Sequence, residues 1–424
     1  MTQPAGGLLG RIDRAAGGLA ADLGLYLISA TFALVTGLTS TLLPHRAWGL
    51  IAAWGYLAAA LLVLGQMLLR RTAFAADRFR AGLTWLTWSA VALVPLVVEA
   101  VQRAGGRTDR AQEEVLVVES MGRSLLEHGT PYLSRAEIAA IPLDERLMGY
   151  RPYQPGMAIF GLPRAFAGDH WWTDARIWFA VVTVVALVTA LRFCNPFPVR
   201  AIQAATVLPV TALTLATGGD DIPVLALCLL ALALAAGGRF GWSGVAVGLA
   251  ASAKLFAFPV VAVLVVLAVV NGRGRRLLPF ALGLPILALL PPLLVNADSL
   301  IENVLRFPLG HGLVTSPAQS PFPGYLIAEN LPGGRVLAAG LLGVAALVIA
   351  WRLVRHPPRD AGAAALFCGW GLLAAILLMP TTRFGYLLYP VALLLWTPAL
   401  HPVLQSGPLL AGPQKAHRFF RPIG

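Results

Sequence analysis

The sequence predicts an all-α polytopic membrane protein, and three observations lead to this fold class. Apolar residues make up 58% of the 424-residue chain. Charged residues make up only 12%, whereas soluble domains typically carry about 25%. Long apolar stretches recur along the chain, and the longer ones meet the roughly 20 residues that a helix needs to cross a bilayer. Together with a mean hydropathy of +0.74, these features exclude an ordinary soluble enzyme and a disordered chain.

Twelve apolar stretches between residues 24 and 400 are candidate membrane-spanning helices. In chain order they are 24–43, 48–69, 82–102, 175–192, 200–217, 222–236, 240–253, 255–271, 277–295, 335–354, 361–379 and 384–400. Two of the three stretches between 222 and 271 are short, and Lys254 separates the last pair, so these stretches could instead form half-helices or a broken re-entrant pair. The sequence therefore predicts a bundle of about ten to twelve transmembrane helices.

The distribution of charge predicts how the bundle is oriented. Cytoplasmic loops carry an excess of Lys and Arg. If the N-terminus is cytoplasmic, the inner segments hold 18 of the 32 basic residues but only four of the 20 acidic residues. We therefore expect a plasma-membrane protein whose terminal segments, 1–23 and 401–424, are both cytoplasmic, with outer loops at 103–174 and 296–334. The net charge of +12 does not indicate nucleic-acid binding, because the basic residues stand singly between apolar segments.

The first candidate site lies at the start of the outer loop 103–174. Residues 110–128 have apolar side chains at helical spacing, which predicts an amphipathic helix. Asp109, Glu113 and Glu114 stand at its beginning. A carboxylate there could act as a general base, and adjacent carboxylates could bind a divalent cation, although nothing in the sequence requires a metal or another cofactor. Alternatively, the acids only complement the helix N-terminus.

The second and third candidate sites are a short acidic turn and an isolated lysine. Asp220 and Asp221 follow two glycines in a tight turn between apolar stretches, where ionisable residues tend to be functional. The alternative is a polar turn in which Asp221 caps the next helix. Lys254 has no other charge nearby in sequence, so it is either a cation for a phosphate group or a side chain that reaches to the membrane interface.

Three outer-loop side chains complete the candidates for phosphate binding. They are Arg306, His311 and Arg383. Positive charge on the outer side opposes the expected bias, and binding of a phosphate would explain it. The alternatives are that Arg383 pairs with Asp220 or Asp221 and that His311 is simply solvated.

Two stretches resemble membrane glycosyltransferases that have the GT-C fold. The outer-loop run 120–132, with Leu125-Leu126, Gly129 and Pro131-Tyr132, is similar to the "LL-x-x-G-x-PY" loop of these enzymes. The run from Gly218 to Pro259 is similar to their "G-x-[ND]-D…GR…G-L-A-A-x-x-K" stretch. The closest group is the actinobacterial type that uses polyprenyl-phosphate-mannose, similar to glycosyltransferase family 87.

This resemblance implies a fold, an activity and a role for Glu114. The fold is a GT-C-like helical bundle, and the activity is transfer of a hexose, mannose foremost, from a polyprenyl phosphate to an extracytoplasmic lipid or glycan acceptor with inversion. The family's catalytic acid, usually aspartate, falls on Glu114. The alternatives from other classes are a lipid or sugar transporter, a non-catalytic partner in envelope synthesis, and transfer of arabinofuranose instead of mannose.

Overall fold

A computed structural model describes residues 15–69, 76–194 and 198–401 of the chain. Within these ranges the chain is helical, and the only pairing between extended segments is an isolated bridge between Gln319 and Thr382. The all-α prediction is therefore confirmed for this part of the chain. Most of the two terminal segments predicted to be cytoplasmic lies outside the described residues.

Seventeen α-helices form the described part of the chain. They are α1 (Leu19–Thr39), α2 (Leu43–Leu68), α3 (Asp77–Ala104, with a π-helical turn at Ser89–Leu93), α4 (Glu113–His128), α5 (Arg135–Ala140), α6 (Leu162–Ala167), α7 (Ala175–Leu191), α8 (Val199–Thr206), α9 (Pro209–Thr217), α10 (Asp221–Ala236), α11 (Phe240–Ala253), α12 (Phe258–Val270), α13 (Gly274–Ile301), α14 (Pro323–Asn330), α15 (Gly334–Arg355), α16 (Ala361–Leu378) and α17 (Leu388–Leu400).

All twelve predicted apolar stretches coincide with helices or helix pairs. Among the described residues, six helices are long and apolar enough to cross a membrane: α1, α2, α3, α13, α15 and α16. The pair α8 and α9, bent by 41°, would be a seventh span, and α7, α10, α11, α12 and α17 are shorter apolar helices. The chain thus has the helices of a membrane protein, whereas the count of ten to twelve crossings stays a prediction.

Helix α10 forms the centre of the bundle. It packs against α7, α9, α11, α12, α16 and α17, and side chains such as Leu229 and Leu232 are fully buried. By contrast, α15 exposes large apolar side chains such as Val336 and Val354 along its length. In a bilayer such a face contacts lipid. The first residue of the central helix, Asp221, belongs to the acidic turn.

The folded chain gathers polar residues at two ends of the bundle. At one end, the Asp22 carboxylate pairs with Arg80 (2.7 Å) and Arg200 and accepts a hydrogen bond from Gln203. All four residues belong to segments that are predicted to be inside or at the inner helix ends. At the other end lie the predicted outer segments, including the start of α4 and the acidic turn. The assignment of these ends to the cytoplasmic and outer sides stays a prediction.

The outer segment between α3 and α7 is an ordered layer that holds α4 in place. Helix α4 covers Glu113–His128, and Gly129 ends it in the left-handed conformation (φ 70°), as the sequence predicts. Arg103, at the end of α3, binds Glu119 of α4 (2.6 Å) and Asp174 at the start of α7 (2.9 Å). Because all three side chains are almost fully buried, this cluster fixes α4 relative to the bundle.

Candidate active site

Lys254 lies between the two carboxylates of the acidic turn. Its Nζ atom is 2.6 Å from Asp220 Oδ2 and 2.6 Å from Asp221 Oδ1. The hydroxyl of Tyr389 donates a hydrogen bond to Asp221 Oδ1 (2.8 Å). All three charged side chains are buried, with exposed fractions of 4–7%. We call Lys254, Asp220 and Asp221 the lysine cluster; it carries one net negative charge when all three groups are ionised.

Local backbone conformation explains how these charges meet. Gly219 has a φ of 83°, a value that glycine adopts readily and other residues do not, so the chain turns sharply before α10. The backbone of Lys254 is extended (φ −153°, ψ 142°) and interrupts the helical conformation between α11 and α12, as the sequence predicts. Asp220, and not Asp221, is at the cap position, and neither carboxylate caps the helix. The interpretation of Asp221 as a cap is therefore wrong, and the Lys254 side chain is buried between two carboxylates instead of reaching to the surface.

Glu114 forms an ion pair with Arg383, the second group of charges in the site. Glu114 lies in the first turn of α4, and Arg383 lies in the turn between α16 and α17. The Glu114 side chain is 18% exposed and the Arg383 side chain is 38% exposed. Glu113, one residue earlier, is exposed and has no ion pair in the described part of the chain. The alternative interpretation, in which Arg383 pairs with Asp220 or Asp221, is therefore wrong, because the partner of Arg383 is Glu114.

Tyr153 connects the two groups of charges. Its ring centre is 5.4 Å from Lys254 Nζ, and the ring centre of Tyr386 is 5.6 Å from the same atom. Burial raises the pKa of Tyr153 well above its ordinary value, and the negative charges of Asp220 and Glu114 raise it further. Both groups of charges thus act on one phenol, which stays protonated.

Close backbone contacts hold Tyr153 in this position. The carbonyl of Tyr153 accepts a hydrogen bond from the Tyr132 hydroxyl (2.7 Å), and Gln154 N–H donates to the carbonyl of Ala253, next to Lys254 (3.1 Å). A Cβ on Gly156 would lie 2.6 Å from Ser252 O, so only glycine allows this approach to the end of α11.

A chain of polar contacts that was not predicted from the sequence lies next to Glu114, at the start of α4. The backbone N–H of Gln112, just before α4, donates a hydrogen bond to the carbonyl of Thr217 (2.9 Å), and the Thr217 hydroxyl donates one to Gln112 Oε1 (3.1 Å). Its Nε2 atom is 2.7 Å from Nε2 of His45. His45 stands near the start of α2, in the first predicted outer turn, and its position there is the signal that would have pointed to it.

The remaining predicted residues lie in other groups of contacts. Asp109 pairs with Arg107 (2.9 Å) and Arg110 (2.6 Å), and the hydrogen bond from Arg107 lowers the pKa of Asp109 to about 2. Arg306 pairs with Asp298 (2.9 Å) and with Glu302 (3.4 Å).

The backbone of His311 is held from two sides: its N–H donates a hydrogen bond to the carbonyl of Arg306 (2.8 Å), and its carbonyl accepts one from Arg135 of α5 (3.2 Å). Among the described residues, no group of three or more His, Cys, Asp or Glu side chains is arranged to hold a metal ion. The structure thus brings five of the nine predicted residues together: Glu114, Arg383, Lys254, Asp220 and Asp221.

The fold and the site define a polytopic membrane protein with a buried, charged site at one end of its helical bundle. The family model of glycosyltransferase family 87 matches residues 152–380, just over half of the chain. The chain therefore belongs to glycosyltransferase family 87. The matched region contains Tyr153 and the lysine cluster, whereas Glu114 and Arg383 lie outside it. Comparisons with curated proteins and with solved structures found no match.

Proposed function

We propose that this glycosyltransferase moves a hexose, mannose foremost, from a polyprenyl phosphate donor to a hydroxyl group of an extracytoplasmic lipid or glycan acceptor. The observation that carries the proposal is the ion pair between Glu114 and Arg383 beside the lysine cluster. A carboxylate that can accept a proton and a cation that can bind a phosphate thus lie side by side. The donor's prenyl chain would stay among the lipid tails, and nucleotide sugars would not be needed.

The proposed reaction is a single displacement with inversion. Glu114 accepts the proton of the acceptor hydroxyl while the hydroxyl oxygen attacks the anomeric carbon. The bond between this carbon and the phosphate oxygen breaks, and its electron pair leaves with the polyprenyl phosphate. The leaving phosphate gains negative charge in this step, so a nearby cation stabilises the transition state more than the bound donor.

Arg383 is the better placed of the two main cations to bind the phosphate first. Lys254 already contacts two carboxylates, whereas Arg383 has a single carboxylate partner in the described residues and is more exposed. A donor phosphate would compete with Glu114 for Arg383. Binding of the donor would then release the Glu114 carboxylate, which becomes free to act as the base. Lys254 would add to the positive potential and hold the acidic turn.

Replacing Glu114 with glutamine tests the proposal, because glutamine keeps the shape of the side chain and removes its basicity. General-base catalysis typically contributes about 10²–10⁴-fold, so we expect Glu114→Gln to lower turnover by about that factor while the protein still accumulates in membranes. The assay is transfer of radiolabelled mannose from polyprenyl phosphate to membrane acceptors. Glu113→Gln is the matched control, because Glu113 points about 100° away around the helix.

The result contradicts the assignment of the base if the Glu113 variant loses activity and the Glu114 variant does not. If neither variant loses activity but Asp220→Asn does, the base belongs to the acidic turn. If the wild-type protein transfers no sugar from any polyprenyl-phosphate-linked sugar donor, the proposed donor class is wrong.

A further inference from the structure

We propose that a cavity in the outer segment, beside α4 and α5, binds the sugar residues of a hydroxyl-rich glycan acceptor. This inference rests on the proposed function, because it assigns a place to the acceptor of that reaction. The cavity has a volume of about 630 Å³. Ligand pockets typically enclose about 300–1,000 Å³, so the cavity is large enough for a small ligand.

The polar groups of the cavity come from three segments. They are Ser120 of α4, Glu137 of α5, and Glu145 and Arg151 of the loop that follows. Apolar side chains, Ile141 and Met148 among them, form much of the remaining wall. An apolar wall with a few convergent polar groups is typical of a small-ligand site.

Arg151 supplies a hydrogen-bond donor that nothing else in the described structure uses. The side chain is 6% exposed, and its Nη1 atom donates to Ser124 Oγ and to Pro131 O, both at 2.6 Å. Its Nε atom is buried without a hydrogen-bond partner, and the described residues provide no ion pair for the guanidinium. A buried donor without an acceptor is costly, so a shift of the Arg151 side chain that brings Nε to an oxygen atom of a ligand would be favourable.

The charges of the cavity favour a neutral ligand over an anion. Glu137 and Glu145 are exposed, whereas Arg151 is buried. Two carboxylates therefore outnumber one guanidinium, and a phosphate would be repelled. Sugar hydroxyls suit both kinds of group, because each hydroxyl can donate to a carboxylate and accept from an arginine N–H. Burial lowers the pKa of Arg151 to about 10, so the guanidinium remains a charged donor at neutral pH.

The cavity is close to the proposed base and to the lysine cluster. Ser120 is six residues after Glu114 on α4, which corresponds to roughly 9 Å along the helix axis and about 120° around it. Arg151 is two residues before Tyr153, whose ring is 5.4 Å from Lys254 Nζ. A glycan longer than one sugar residue is therefore needed to extend from the cavity around α4 to Glu114, while the donor reaches the site from the membrane.

Steady-state kinetics with octyl dimannoside as the acceptor provide the first test. A hydrogen bond to a charged group is worth a factor of roughly ten or more, so we expect Glu145→Gln to raise the KM for this acceptor about tenfold. The KM for the donor should stay unchanged. Asp144→Asn is the matched control, because Asp144 is an exposed carboxylate next to Glu145 that does not line the cavity. Equal acceptor KM values for the two variants would overturn the proposal.

Protection of a cysteine gives a second readout that needs neither donor nor turnover. Ala140 lines the cavity, whereas Ala136 is exposed on the same helix and does not. Both cysteine variants, Ala140→Cys and Ala136→Cys, are made in the full chain that also carries Glu114→Gln. We expect octyl dimannoside to slow the reaction of maleimide with the cysteine at position 140 and not with the cysteine at position 136. Protection by inorganic phosphate and not by the sugar would identify an anion site and overturn the proposal.

The two experiments separate this inference from the proposed function. If the wild-type chain transfers no sugar from polyprenyl phosphates but the dimannoside still protects position 140, the proposed donor is wrong and the glycan site stands. If transfer occurs but position 140 is not protected, the acceptor binds elsewhere and the proposed function stands.

Discussion

Replacing Arg383 with alanine would show how much the ion pair with Glu114 contributes to catalysis. In the proposed reaction a phosphodiester with one negative charge leaves as a monoester with up to two. For unit charges about 4 Å apart near a protein surface, the interaction is worth about 4 kcal/mol at an effective dielectric constant of about 20. If half of the additional charge has developed in the transition state, Arg383 stabilises it by about 2 kcal/mol.

A loss of about 2 kcal/mol lowers kcat about 30-fold, because each 1.36 kcal/mol corresponds to a factor of ten. We also expect a higher KM for the donor, since Arg383 contacts its phosphate before the reaction as well. The KM for the acceptor should change little. Arg383→Lys keeps the charge but loses the planar guanidinium, so its activity should fall between those of the wild type and the alanine variant.

The assay is transfer of radiolabelled mannose by purified protein in lipid nanodiscs, with donor and acceptor varied separately. Arg335→Ala is the matched control, because Arg335 is another exposed arginine of the outer segments that pairs with a glutamate, Glu329 (3.3 Å). Unchanged kcat and donor KM in Arg383→Ala would refute the reasoning and leave Arg383 as a residue that only restrains Glu114.

Three further predictions follow from the lysine cluster, from Asp109 and from the topology. Lys254→Ala should abolish transfer and lower the melting temperature, because it leaves two buried carboxylates without a cation. The double variant Lys254→Ala/Asp220→Asn should recover thermal stability but not activity. Recovery of both properties would contradict a role for Lys254 in the reaction. Because the pKa of Asp109 is lowered to about 2, its ion pairs stabilise the fold fully at pH values above its unfolded pKa of about 4, and this contribution is lost only as the pH falls towards 2. The pH–rate profile of Asp109→Asn should therefore match that of the wild type between pH 5 and 9. A shifted acid limb would show that Asp109 takes part in catalysis. A cysteine at position 140 should react with an impermeant reagent from outside intact cells, and reaction from the cytoplasmic side alone would reverse the topology and contradict the proposed site.

The class of the protein could be read from the sequence because hydropathy is a local property. Every apolar stretch of sufficient length must satisfy its backbone hydrogen bonds internally, so it becomes a helix wherever it packs. The amphipathic helix that begins near Glu114, its end at Gly129 and the break at Lys254 were predictable for the same reason, since glycine and charge act on the nearest turns.

The partners of the charged residues were decided by the tertiary structure. Glu114 and Arg383 are 269 positions apart, and Lys254 is 34 positions from Asp220. Sequence spacing does not say which outer turns meet at the end of a bundle, so it left the acidic turn as the alternative partner of Arg383 and grouped Arg306 with the phosphate site. Packing of α10 in the centre brings the acidic turn to Lys254, and the position of α4 across the bundle brings Glu114 to Arg383.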